Sequence, residues 1–254
     1  MHRAPADVGK VFRFEIAFIL TSKTLLRVIL LTLICFRASA QTSPSNLYWF
    51  RYFNQIHFNS KWSWQNEFDE RRSINPDQQR QFIIHSYANF KPKANTNFAT
   101  GITRSWVTNS KNLTVPELRF FQSVTSQVAT FGKFNIQFRF RLEERFLHKT
   151  DTEKINLRDG YNFKFRTRYR IQFQCSLDKN QKWLARLSDE ILFHTDSGDL
   201  WKFDQNRIYA GVERKLTKQL SLEIGYLLLH AFSNNTIIHS NNLRTTLYHR
   251  ISLE

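Results

Sequence analysis

Residues 134–146 read FNIQFRFRLEERF and alternate with a period of two. Phe134, Ile136, Phe138, Phe140, Leu142 and Phe146 share one parity, interrupted by Glu144. Asn135, Gln137, Arg139, Arg141, Glu143 and Arg145 share the other. A strand sends successive side chains to opposite faces, so this segment has one apolar wall and one charged wall. Its thirteen residues exceed the usual globular strand of about five or six. Residues 158–174 repeat the pattern: Tyr161, Phe163, Phe165, Thr167, Tyr169, Ile171 and Phe173 oppose Lys164, Arg166, Arg168, Arg170, Gln172 and Gln174. A strand crossing a membrane in a closed barrel has this signature, apolar toward lipid and polar toward the interior. The competing reading, the basic face of a soluble sandwich, fits neither the length nor the aromatic wall.

The N-terminal region sets the compartment. Residues 25–36, LLRVILLTLICF, are apolar apart from Arg27 and lead into Arg37, Ala38, Ser39 and Ala40. A run this short with a basic flank and a small-x-small ending reads as a secretory signal peptide. Cleavage is expected between Ala40 and Gln41, dividing the chain into a 1–40 leader and a 41–254 barrel. The region ahead of the apolar run is long for a leader, which points to an extended start site. Ile34 ahead of Cys35 argues against a lipid anchor, and the mature chain keeps only Cys175, so it forms no internal disulfide. Beyond residue 40 no run approaches the roughly 20 apolar residues of a membrane helix.

Strands are expected at 47–58, 62–72, 80–90, 97–107, 117–130, 134–147, 158–175, 182–195, 204–216, 220–230 and 242–253. Tight connections at 59–61, 91–95, 131–133, 177–181 and 217–219 alternate with longer ones at 73–79, 108–116, 148–157, 196–203 and 231–241. Alternation of this kind belongs to barrels with short turns at one rim and longer loops at the other. The fold class expected is therefore all-β, an antiparallel transmembrane β-barrel of about 10–12 strands after a cleavable signal peptide. Bacterial single-chain barrels have even counts, which would make the first segment a lumenal strand or split one of the others. With seven glycines, turns must rely on Asn, Asp, Lys and Ser. Arg104 shares the parity of Phe98, Ile102 and Trp106, which places a charge on the apolar face.

Several segments resemble a known group: KLTKQLSL (215–222), KWSWQNEFDERR (61–72), RFRLEERF (139–146), KFRTRYRIQF (164–173), FDQNRIYAGVERKL (203–216) and LRTTLYHRI (243–251). Across nearly the whole mature chain they are similar to a bacterial outer-membrane β-barrel family catalogued as a domain of unknown function. The resemblance implies export and an outer-membrane barrel, and it brings no catalytic set with it.

The chemistry most visible in the sequence is cationic. Arg139, Arg141, Arg145, Lys164, Arg166, Arg168 and Arg170 are expected to face inward from two consecutive strands, with Arg186, Arg207, Arg244 and Arg250 as additions. Glu67, Glu143, Glu190 and Glu213 are their expected acidic partners. Two readings stand: a salt-bridged interior that serves structure, or a pore or pocket that attracts anions. The formal net charge is +16. Removing the six Lys or Arg and two Asp or Glu of residues 1–40 leaves +12. In an exported protein the expected partners are outer-membrane lipid, lipopolysaccharide and small anionic solutes, and nucleic acid is excluded.

An outer-membrane lipid hydrolase is the competing enzyme reading; no GxSxG elbow is present, and His194 with Ser197 and His230 with Ser233 are the His/Ser pairs to inspect first. His148 with Asp151 and Glu153, and His194 with Asp196 and Asp199, lack metal-site spacing. Neither enzyme activity, a cofactor nor a metal is expected.

Overall fold

The computed structural model describes residues 45–195, 201–233 and 236–253. The expected leader and its cleavage point between Ala40 and Gln41 lie outside those residues, as do Asp196, Ser197 and Asp199. Eleven strands form one sheet: β1 (Ser45–His57), β2 (Trp62–Ser73), β3 (Gln78–Lys93), β4 (Thr96–Thr108), β5 (Thr114–Phe131), β6 (Phe134–Thr150), β7 (Leu157–Ser176), β8 (Trp183–His194), β9 (Lys202–Lys215), β10 (Leu220–Ser233) and β11 (Thr236–Ser252). Sequence neighbours pair antiparallel throughout, and β1 meets β11 to close a barrel. The all-β barrel expected from the alternation is the fold observed.

The closing pair is parallel, in register from Ser45 opposite Ser240 to His57 opposite Ser252. Parity of the count forces this. In a meander every strand reverses the one before it, so an odd number leaves the first and last strands running the same way. The first segment is a full member of the wall, neither a lumenal strand nor one of a split pair, and the expected even count does not hold. Side chains reinforce the seam on both faces. Tyr52 Oη and His249 Nδ1 lie 2.9 Å apart, and the Phe53 and Tyr248 rings are 5.0 Å apart between centroids.

Alternation sorts side chains as a pleated wall requires. In β2, Ser63, Gln65, Glu67 and Asp69 are buried inside while Trp62, Trp64 and Phe68 are exposed outside. On β6 and β7, Phe138, Phe140, Phe163, Phe165, Tyr169 and Phe173 are all exposed on the outer wall. Two charges interrupt that wall. Arg104 lies outward with its guanidinium carbon 5.7 Å from the Trp106 ring centroid, and Glu144 sits opposite Phe120 and Phe165.

Connections 58–61, 94–95, 132–133, 177–182 and 216–219 gather at one rim, and 74–77, 109–113 and 151–156 at the other, together with the end of β8, the start of β9, the end of β10 and the start of β11. The expected contrast in length is shallower than the sequence suggests, because the ladders run on into segments that read as polar loops. The clearest correction is 231–241. Thr236, Ile237 and Ile238 pair with Ser233, Phe232 and Ala231, and these β-branched residues favour a strand over a loop.

Side chains supply the turns, as glycine scarcity requires. Asn59 Oδ1 accepts from the backbone N–H groups of Lys61 at 3.0 Å and Trp62 at 2.8 Å. Asn109, Asp151 and Thr217 cap their own turns in the same way. The Trp183 N–H donating to Asp178 Oδ1 at 2.8 Å holds that carboxyl below the usual carboxylate range.

One glycine is set by a close approach. Gly101 pairs with both Tyr87 and Phe121, whose rings meet edge to face at 5.3 Å between centroids. A side chain there would run into the Tyr87 Cβ and the Ser86 carbonyl oxygen. Gly101→Val is expected to cost about 1–3 kcal/mol through overpacking. The barrel should then lose its compact, unboiled gel mobility at a lower temperature than the wild type.

Candidate functional site

The inner wall brings arginines and carboxylates together in three groups. Between β1 and β2, Arg51 grips Asp69 with both arms of its guanidinium, Nε to Oδ1 at 2.6 Å and Nη2 to Oδ2 at 2.8 Å. Glu67 beside it accepts from Tyr87 Oη at 2.5 Å and Gln65 Nε2 at 2.7 Å, and Arg51 Nη1 is 3.5 Å away.

The second group spans β5 to β9. Glu117 accepts from Arg119 at 2.6 Å and Arg145 at 2.5 Å. Glu143 accepts from Arg166 Nε at 2.7 Å and Arg168 Nη1 at 2.8 Å. The other arm of Arg168 reaches Glu190 at 2.8 Å, which also accepts from Arg139 at 2.5 Å. Arg207 stands 3.7 Å from Glu190, and Arg166 stands 3.7 Å from Asp204. The third group joins β8 to β11. There Arg186 bridges Glu213 and Glu223. Arg250 donates to Glu213 at 3.1 Å, and Glu223 accepts from Arg244 at 2.9 Å and Tyr209 at 2.6 Å.

These groups surround an interior cavity of about 1160 Å³. Three of its arginines lie over inward aromatic rings: Arg71 on Trp49 at 3.7 Å, Arg141 on Phe121 at 4.2 Å and Arg244 on Tyr209 at 3.6 Å from the centroids. Stacking suits a guanidinium, which is planar and weakly hydrated on its faces.

All seven basic residues anticipated on β6 and β7 occupy the inward parity. Arg139, Arg145, Arg166 and Arg168 are paired as described. Lys164 lies opposite Arg145. Arg141 and Arg170 have neither a hydrogen bond nor a carboxylate partner among the described residues. Glu67, Glu143, Glu190 and Glu213 all hold arginines, but Glu67 pairs with Arg51 on β1 and Glu213 with Arg186 and Arg250 on the far side. Sequence reasoning missed Arg51, Arg119, Asp69, Glu117, Asp204 and Glu223 as members. Inward parity would have found Glu117 and Arg119, which share it with Ser123 and Thr125. Glu223 is hidden in LSLEIGYLLL (220–229), where leucine occupies both parities.

Ser197 and the side chain of Ser233 lie outside the described residues, so the two His/Ser pairs are seen only from their histidines. His230 packs edge-on against His239, and His194 Nδ1 lies 3.7 Å from Asp204. Among the described residues no three His, Cys, Asp or Glu side chains stand together as a metal would need.

Residues 46–242, from the start of β1 into β11, match the family described as protein of unknown function DUF2490. The chain belongs to that family. The stretch matched to DUF2490 contains every ion-paired carboxylate of the interior, and of the paired arginines only Arg244 and Arg250 fall outside it. The resemblance of the sequence segments to a family of unknown function is thereby borne out. Comparison with curated proteins finds no match.

A buried ion pair is costly to break on one side, because the remaining charge is left in a poorly solvated place. Glu143→Ala, which strips both Arg166 and Arg168 of a partner, is expected to destabilise the barrel by about 3–5 kcal/mol, read from the urea midpoint of tryptophan fluorescence. Asp77→Asn, removing a solvent-exposed partner of Arg72, should leave the midpoint where it is.

Proposed function

We infer that the protein is an outer-membrane β-barrel whose arginine-lined interior draws in small anions and passes or holds them. One observation carries the reading. Among the described residues that line the cavity, thirteen are arginines and three are carboxylates. Of the other ion-paired acids of the interior, Asp69, Glu143, Glu213 and Glu223 are buried against the guanidiniums they bind, and Asp204 is half-buried. Basic linings of this kind favour anions, and a cavity with low-dielectric walls focuses the field.

Membrane residence is supported by the outer wall. A contiguous apolar surface of this extent is foreign to soluble monomers. Trp62 and Trp183 stand near the rim of 58–61 and 177–182, and Trp106 and Trp201 near the opposite one, as in the aromatic girdles of membrane barrels. Closure of the ladder leaves no strand edge unpaired in lipid. Phospholipid and lipopolysaccharide are then the surroundings, and small anionic solutes the cargo. No catalytic role is assigned to any residue.

A second reading has its own support. Arg168 and Arg186 each bridge two carboxylates, as a salt-bridged plug that carries no flux would require. Planar-bilayer recording in a potassium chloride gradient separates the two. The anion-attracting pore gives a conductance whose reversal potential has the sign set by chloride. A silent bilayer favours the closed barrel, and cation preference overturns the first reading. Fractionation tests residence: the protein should appear in outer membranes and shift mobility on boiling, whereas a soluble, unshifted product would remove the membrane from the account.

A further inference from the structure

The ion pairs of the second group leave two cations over. Arg141 on β6 and Arg170 on β7 are the inward residues that flank Arg139 and Arg168: Arg139 is the register partner of Arg170, and Arg141 is the partner of Arg168. Arg139 and Arg168 are both committed to Glu190. Arg141 is 8 % exposed, and its Nε, like that of Arg170, is buried without a hydrogen-bond acceptor. Both side chains line the cavity. Arg141 lies over the face of Phe121, and among the described residues the in-plane N–H groups of its fork make no hydrogen bond.

Such an arrangement is unfavourable in an empty protein. Buried polar groups are ordinarily satisfied, and a buried charge without a counter-charge is among the costliest features a fold can carry. Two of them on adjacent strands, with Arg139 between them in register, repel one another as well. Every other buried arginine of the group has a carboxylate within 4 Å. Glu190 is the register partner of Arg170 on β8, but it is taken up by Arg139 and Arg168 and makes no ion pair with Arg170; the rest of the wall beside the pair is polar. Ser123 is the register partner of Arg141, and Thr125 is that of Arg139, while Gln172 and Gln174 continue down the inward face of β7. These groups offer hydroxyl and amide donors.

We propose that Arg141 and Arg170, with Arg139 beside them, form an oxyanion subsite that takes a small dianion of the phosphate class. This rests on the anion-attracting interior inferred above and names the place and chemistry of the solute within it. Two guanidinium forks present more than one pair of parallel N–H donors. A tetrahedral oxyanion has the lone pairs to satisfy them bidentately, whereas a halide is a single sphere. The ligand supplies the counter-charge that the chain itself withholds.

The test is calorimetric titration of the detergent-purified protein with inorganic phosphate, set against sodium chloride at equal ionic strength. Arg141→Gln and Arg170→Gln are each expected to weaken phosphate binding about tenfold or more, the loss of a charge-assisted pair. Arg80→Gln serves as the control, since Arg80 lines the same cavity near the opposite rim of β3 and removes equal charge. It should change binding less than about twofold. Each variant is scored only if its gel mobility still shifts on boiling. Should a Gln variant fail that check, Arg141→Lys and Arg170→Lys keep the charge and lose the fork, and several-fold weaker phosphate binding is expected. Equal losses for Arg80→Gln and Arg141→Gln would show a diffuse field and overturn the subsite. Chloride-selective conductance without phosphate binding would also overturn the subsite while leaving the anion-attracting interior intact. A protein that neither conducts nor binds would remove both.

Discussion

The hydrogen-bond ladder that closes between β1 and β11 is the constraint from which the remaining features follow. A sheet rolled on itself has no edge, so every strand must present one wall inward and one outward along its whole length. The inward wall holds most of its charge where opposite charges meet. The outward wall carries the aromatic residues that a soluble core of 254 residues could not have enclosed. The seam itself is made from residues almost two hundred positions apart in sequence, as between Tyr52 and His249. Its loop-closure entropy is the largest in the molecule, and parallel pairing is slightly the weaker kind. The ring contacts across it, Phe53 with Tyr248 and Tyr52 with His249, therefore reinforce the ladder where it most needs support.

Charge is not spread evenly over the interior. Asp69, Glu143, Glu213 and Glu223 are buried in the wall against their arginines, while Glu67, Glu117 and Glu190 reach the cavity beside theirs. Side-chain length governs which pairs can form. An arginine on one strand can reach past its neighbour, as Arg139 of β6 does to Glu190 of β8 and Arg186 of β8 does to Glu223 of β10. Glutamate and aspartate are shorter and stay near their own backbone. The result is a wall whose buried carboxylates are each held by arginines, several of them reaching in from a strand beyond the nearest neighbour.

Most of the strand pattern was legible because period-two alternation survives averaging over individual residues. The bounds of β6, β7 and β10 follow from it within a few positions. β11 did not, since 234–241 contains three asparagines and two serines or threonines beside its isoleucines, and only the partner strand reveals that it pairs. Inward parity was equally readable for Arg139 to Arg170. What the sequence could not give was who pairs with whom. Arg139 and Glu190 are 51 residues apart on strands that are not neighbours, so their meeting depends on strand stagger and barrel radius. Neither quantity is written in local composition. The spare charges on Arg141 and Arg170 were invisible for the same reason, because a residue is left over only once every other partner has been assigned.

Because β1 and β11 run the same way, the chain enters the wall at one rim and leaves it at the other. Ser45 lies level with Ser240, and Ser252 with His57. Circular permutation, which in an even-stranded barrel needs only a short link between adjacent ends, here demands a connector that travels the full height of the seam. Thirteen paired residues separate the two ends, about 40 Å at the usual rise per residue of a strand. Such a connector would have to pass along the apolar outer wall or through the ion-paired interior. The order of strands in this barrel is thus locked to where the chain begins, in a way that its even-stranded counterparts escape.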